Sequence, residues 1–120
     1  MKYNVNNTTV EITRKAAHIE VKATRRHGAD GLIHFDKMDG YKIDTNIDGL
    51  DLTTYKLPDG YWFVLDAISG IAVSQAYTYK KAIERIIDLL TNNGIVTAVN
   101  MIKEGREACA AKWAKYIAAE

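Results

Sequence analysis

The sequence predicts an α+β fold in which an antiparallel β-meander sheet with an N-terminal β-hairpin packs against two C-terminal α-helices. Three observations predict it. Residues 41–77 fall into short β-rich runs separated by turn dipeptides. Residues 8–24 alternate apolar with polar side chains, the period of a half-buried strand. From Thr78 onward the apolar residues recur at helical spacing.

At the N-terminus, Thr8, Val10 and Ile12 alternate with polar neighbours, and so do Ala17, Ile19, Val21 and Ala23, which reads as the two arms of a hairpin. The rival is a helix over 14–27 closing at Gly28, since Arg25, Arg26 and His27 before a glycine suit a helix C-terminus. Such a helix would put Ile19 and Val21 on nearly opposite sides and leave no apolar stripe, so the strand is preferred. Asp48-Gly49 suits a two-residue turn with positive φ, pairing Ile47 with Leu50, Thr45 with Leu52 and Ile43 with Thr54. Pro58-Asp59-Gly60 and Ser69-Gly70 mark two further turns. Four strands follow, at about 41–47, 50–56, 61–66 and 71–77. Thr78 is placed to cap a helix whose apolar face is Ala82, Ile83, Ile86, Ile87 and Leu90, ending near Asn93-Gly94. A second helix, about 97–118, carries Val99, Ile102, Cys109, Trp113 and Ile117, with Gly105 as its weak point.

The chain has 120 residues, is 48% hydrophobic and 26% charged, and shows no linker or repeat, so residues 1–120 are expected to form a single domain. Its formal charge of +1 gives no bulk attraction to nucleic acid or membrane. The charge is nevertheless uneven: +4 over residues 1–27, −5 over 28–66 and +2 over 67–120. One cysteine excludes an internal disulfide and a cysteine-rich zinc module. With neither an apolar leader nor a spanning segment in the sequence, a cytoplasmic protein with no membrane role is expected.

Asp44-x-Asn46-x-Asp48-Gly49 matches the first half of a calcium-binding loop, but the twelfth position, where a bidentate Glu belongs, is Tyr55 and the flanks read as strands, so a hairpin turn is preferred. His18, His27 and His34 with Asp36 and Asp39 match no compact metal-ligand spacing. Cys109 sits at an apolar helical position and reads as a packing residue. Nucleophile elbows, catalytic carboxylate pairs and phosphate-binding glycine loops are all missing. The expectation is a non-enzymatic protein without a metal or other cofactor.

Two surfaces then compete. Between Asp30 and Asp66 lie eight aspartates and no glutamate, interleaved with Tyr41, Tyr55, Tyr61 and Trp62. Carboxylates on rigid turns can imitate a row of phosphates and steer a basic groove toward aromatic anchors. The candidate partner-binding residues are Asp36, Asp39, Asp44, Asp48, Asp51, Tyr55 and Tyr61. The alternative is a basic N-terminal hairpin, Lys15, Lys22, Arg25 and Arg26, contacting nucleic-acid phosphates.

Residues 61–90 resemble a strand, Ser-Gly turn, strand and basic helix start common in small bacteriophage and mobile-element accessory proteins; the residues that carry the likeness are Trp62, Val64, Asp66, Ser69, Gly70, Thr78, Lys80, Lys81, Ala82 and Ile83. Proteins of that kind include anti-CRISPR and other anti-defence inhibitors. The resemblance implies a phage or mobile-element inhibitor that binds a host defence protein or nucleoprotein, such as a CRISPR effector, and blocks its nucleic-acid or partner site. A small nucleic-acid-binding regulator is the alternative, with direct nucleic-acid binding ranked second. A homodimer is compatible with either, since a small sandwich leaves one sheet face to cover.

Overall fold

A computed structural model of the chain describes residues 1–26 and 32–113, with the backbone alone described at 25, 26, 33 and 109–113. Its elements run β1 (Lys2–Val5), β2 (Thr8–Arg26), β3 (Ile33–Thr45), β4 (Leu52–Lys56), β5 (Trp62–Asp66), β6 (Ala72–Ala76), α1 (Tyr79–Asn93) and α2 (Ile95–Trp113). The six strands form one antiparallel meander in the order β1-β2-β3-β4-β5-β6. This is the expected α+β architecture, with strand and not helix through residues 14–26; His27 lies outside the described residues.

The hairpin at the N-terminus is built differently from the expectation. Residues 8–12 and 17–23 are not its two arms but parts of the single strand β2, and the partner arm is β1. Asn6 and Asn7 make the turn, both at positive φ (49° and 68°), which asparagine tolerates better than other side chains and which matches strand twist. Near its middle β2 carries three residues, 15–17, against Lys42 of β3, between the pairs Arg14–Ile43 and His18–Tyr41. Such a bulge bends the strand. Before it Val10 and Ile12 are buried, and after it Val21 and Ala23 are, so β2 buries opposite faces in its two halves.

The first half lies under the helices. Val10, Ile12, Ile43, Leu52, Val64 and Ala76 meet Ala82, Ile83, Ile86 and Leu90 of α1 and Ala98 and Val99 of α2 in the main core. Thr78 caps α1 by accepting from the Lys81 amide at 3.1 Å, as expected. The second half curls back over the other face of the sheet, where Val21 and Ala23 pack on Tyr55 and Leu65. The curl closes when the Thr24 amide donates to the Gly70 carbonyl (2.9 Å) and its hydroxyl donates to the Ser69 carbonyl (2.6 Å). Gly40 makes this approach feasible, because a Cβ there would stand 2.2 Å from the Thr54 carbonyl oxygen and 2.7 Å from Val21 Cγ2.

The Asp48-Gly49 register differs from expectation. Ile43 pairs with Leu52 and Tyr41 with Thr54, a displacement of two residues. Asn46 leaves the β3–β4 ladder for β2: its amide donates to the Glu11 carbonyl, and its side chain bonds the Glu11 amide and the Thr9 carbonyl. The turn at 48–49 survives inside a wider loop, closed by Leu50 N donating to Ile47 O at 3.3 Å, while Leu50 itself enters the core. A shift of two keeps every side chain on its face, so Ile43 and Leu52 still share the core face although none of the three expected pairs forms in the ladder.

Candidate functional site

Where the helical layer ends, three rings from three elements converge on one cation. The Arg14 guanidinium carbon lies 5.0 Å from the Tyr41 ring centre, 5.0 Å from Trp62 and 4.7 Å from Tyr79. Strand pairing explains the meeting. Arg14 stands opposite Ile43, one pleat from Tyr41 on the same face, and the row Tyr41–Thr54–Val64 places Trp62 one pleat farther along β5. Tyr79 enters from the first residue of α1 and meets Trp62 edge-to-face at 5.6 Å. Among the described residues no carboxylate pairs with Arg14, so its N–H donors face rings and solvent.

The same face continues along the β2–β3 ribbon. His18 lies 4.6 Å from Tyr41 between ring centres; its Nδ1 shares a 2.8 Å hydrogen bond with Asp39 and its Nε2 a 3.1 Å bond with the Tyr41 hydroxyl. Asp39 thus fixes the imidazole, and the imidazole fixes the Tyr41 ring. Farther out, Lys22 sits 4.2 Å above Phe35, with Lys37 opposite Lys22. On the other side, Lys56 lies 5.8 Å from the Trp62 ring centre. Among the described residues the face carries Arg14, Lys22, Lys37 and Lys56 against Glu20 and Asp39, interleaved with the rings of Phe35, Tyr41, Trp62 and Tyr79. Burial pushes the Tyr79 hydroxyl above its ordinary value, against the pull of Arg14, so it remains a neutral donor at physiological pH.

The acidic residues expected to act together are distributed. Asp39 belongs to the His18 network, while Asp36 falls on the opposite face of β3. Asp44 is held by Lys15 at 2.9 Å and Lys42 at 3.8 Å, and the Lys15 hydrogen bond keeps its carboxyl below the usual range. Asp48 and Asp51 are exposed in the loop beside α2. Tyr55 is a core ring, 3% exposed and stacked on Phe63 at 5.2 Å, which corrects its reading as a surface anchor. Tyr61 is half-buried, edge-on to Phe63 and Tyr77. Of the basic set, Lys15 is spent on Asp44 and Lys22 lies on the ribbon face; the Arg25 and Arg26 side chains, like those of Cys109 and Trp113, lie outside the described residues.

In the calcium-like segment, Asp44 is salt-bridged, Asn46 is bonded to β2 and Asp48 points to solvent, so the three oxygens serve different tasks. Among the described residues no cluster of three histidine, cysteine or carboxylate side chains is placed to hold a metal, and no helix is long and apolar enough to cross a membrane. No protein-family model, curated protein or solved structure matches the chain, so its functional reading rests on these side chains.

Proposed function

We propose that this is a non-enzymatic binding protein whose ligand is single-stranded nucleic acid, laid along the face from Arg14 to Lys22. The observation that carries the reading is the Arg14 guanidinium, set among Tyr41, Trp62 and Tyr79 with no carboxylate partner among the described residues. Half-exposed rings offer stacking surfaces to unpaired bases of any sequence, at about 1–3 kcal/mol per base, while Arg14, Lys22, Lys37 and Lys56 meet the backbone. A duplex hides its base faces and offers phosphates alone. The face therefore favours single strands, and with few cations its affinity depends on salt only moderately. The acidic-inhibitor reading has weaker support, because Asp39 and Asp44 are already paired within the molecule and Tyr55 is buried.

The test is a titration of a 3′-labelled 20-nucleotide single strand and its duplex at low salt. The single strand binds the intact protein and the duplex binds more weakly, and Arg14→Ala weakens the single-strand complex about tenfold or more. Equal affinity of the two nucleic acids, or an Arg14→Ala complex of unchanged strength, refutes the proposal.

A further inference from the structure

Arg14 has a second exposure, away from the ribbon. It lines a cleft of about 410 Å³ together with Met1, Tyr3, Thr13, Tyr79 and Lys80, floored by the buried Ile12 and Ile83. One wall is the N-terminal hairpin and the other is the start of α1. We infer that this cleft seats the terminal phosphomonoester of the bound strand; the inference rests on the single-strand reading above and adds that the protein prefers phosphorylated ends.

Charge is the first ground. Among the described residues neither Arg14 nor Lys80 has an ion-pair partner, whereas Lys81 beside it is engaged by Glu84 at 3.8 Å. Two unneutralised cations in one cleft match a phosphomonoester, which carries roughly −1.5 to −2 at neutral pH, better than an internal diester with a single charge. Donor inventory is the second. Arg14 offers a planar fork suited to two phosphate oxygens, Lys80 a point charge, and Tyr79 a hydroxyl that stays protonated. Tyr3 likewise keeps its proton, pushed up by burial and then by the Glu84 charge. The Glu84 carboxylate that acts on Tyr3 is paired with Lys81. Shape is the third. The cleft, about 410 Å³ over a hydrophobic floor beside the hairpin wall, has room for a phosphate and its sugar at the Arg14 end of the aromatic track, where the end of a strand would be seated.

The test compares oligonucleotides of one sequence: 5′-phosphorylated, 3′-phosphorylated, unphosphorylated and circular, all single-stranded, with nucleoside monophosphate and inorganic phosphate as competitors. A phosphorylated end binds about tenfold or more tightly than the hydroxyl form, as expected for an added charge-assisted contact. Lys80→Gln, an exposed substitution, brings the ratio of phosphorylated to hydroxyl affinity close to one. The two phosphorylated isomers distinguish a 5′ from a 3′ seat. Competition by the monophosphate but not by inorganic phosphate places the sugar and base in the site; competition by both assigns the affinity to the phosphate alone. Tight binding with no preference among the four oligonucleotides overturns the end-recognition inference and leaves the single-strand reading standing. Failure of every oligonucleotide to bind overturns both.

Discussion

Arg106 and Arg14 are the same side chain put to opposite uses. Arg106 on α2 is 16% exposed and grips the buried Asp66 with two 2.7 Å hydrogen bonds, Nε to Oδ2 and Nη2 to Oδ1. Asp66, 2% exposed, also receives the Ser69 amide and hydroxyl at 3.1 and 2.7 Å. Nothing is left over: both charges are matched, and the pair pins α2 to the β5–β6 turn where the sheet curl closes. Among the described residues Arg14 has rings and no carboxylate, and no hydrogen bond engages its donors. An arginine with its acid is architecture, and an arginine held by rings is, in the proposed reading, the cation that meets the ligand.

Breaking the Arg106 side of this contrast has the largest effect. Arg106→Met strands a buried carboxylate and costs about 3–5 kcal/mol, seen as a lowered Tm in thermal unfolding. Its pH dependence sharpens the point. Burial alone would raise the Asp66 carboxyl, and the Arg106 and Ser69 hydrogen bonds outweigh burial and hold it below its ordinary value. A carboxyl lowered in the folded state stabilises above its unfolded pKa, about 3.9, and that stability is lost as pH falls through the lower folded value. The intact protein therefore loses stability below about pH 4, whereas Arg106→Met, which keeps only the Ser69 hydrogen bonds against burial, loses less stability over that range than the intact protein does.

Next comes the curl that carries the ribbon. Gly40→Ala forces a methyl against the Thr54 carbonyl at 2.2 Å and costs about 2–3 kcal/mol in denaturant unfolding. Arg14→Ala, in contrast, changes stability by less than about 1 kcal/mol while removing roughly 2 kcal/mol of single-strand binding. Thr24→Val, which deletes the 2.6 Å bond to Ser69, costs about 1 kcal/mol and raises amide exchange in the ribbon ahead of the helices. Smallest of all, changing Asp44, Asp48 and Asp51 together to asparagine leaves single-strand affinity unchanged or slightly stronger. A marked loss of nucleic-acid affinity in that variant would move the binding face to the acidic side.

Local signals were legible and long-range ones were not. Thr78 and the spacing Ala82, Ile83, Ile86, Leu90 announce α1 because capping and amphipathicity act within a few turns. The Asp48-Gly49 turn is equally local, but its register was set by Asn46 bonding to β2, 35 residues away from Glu11 in sequence. Along β2 the buried positions switch from even (Val10, Ile12) to odd (Val21, Ala23), which reads as two strands; a single strand bending at a bulge gives the same pattern. β3 begins at Ile33, earlier than expected, because glycines and aspartates disguise it as loop. The arginine site had no sequence signature: Arg14, Tyr41, Trp62 and Tyr79 come together only through the pairings of β2 to β5 and the docking of α1. The sequence offers Tyr41 and Trp62 only as two of four rings along the acidic stretch, points to Tyr55 and Tyr61 as the binding rings, and gives no sign of the cation between Tyr41 and Trp62.

The most direct measurement is Trp62 fluorescence in a Trp113→Phe background, titrated with an unlabelled single strand. Stacking of bases on the Arg14 face predicts saturable quenching that weakens with salt and is lost in Arg14→Ala. Binding detected by another method while Trp62 emission stays unchanged would contradict it.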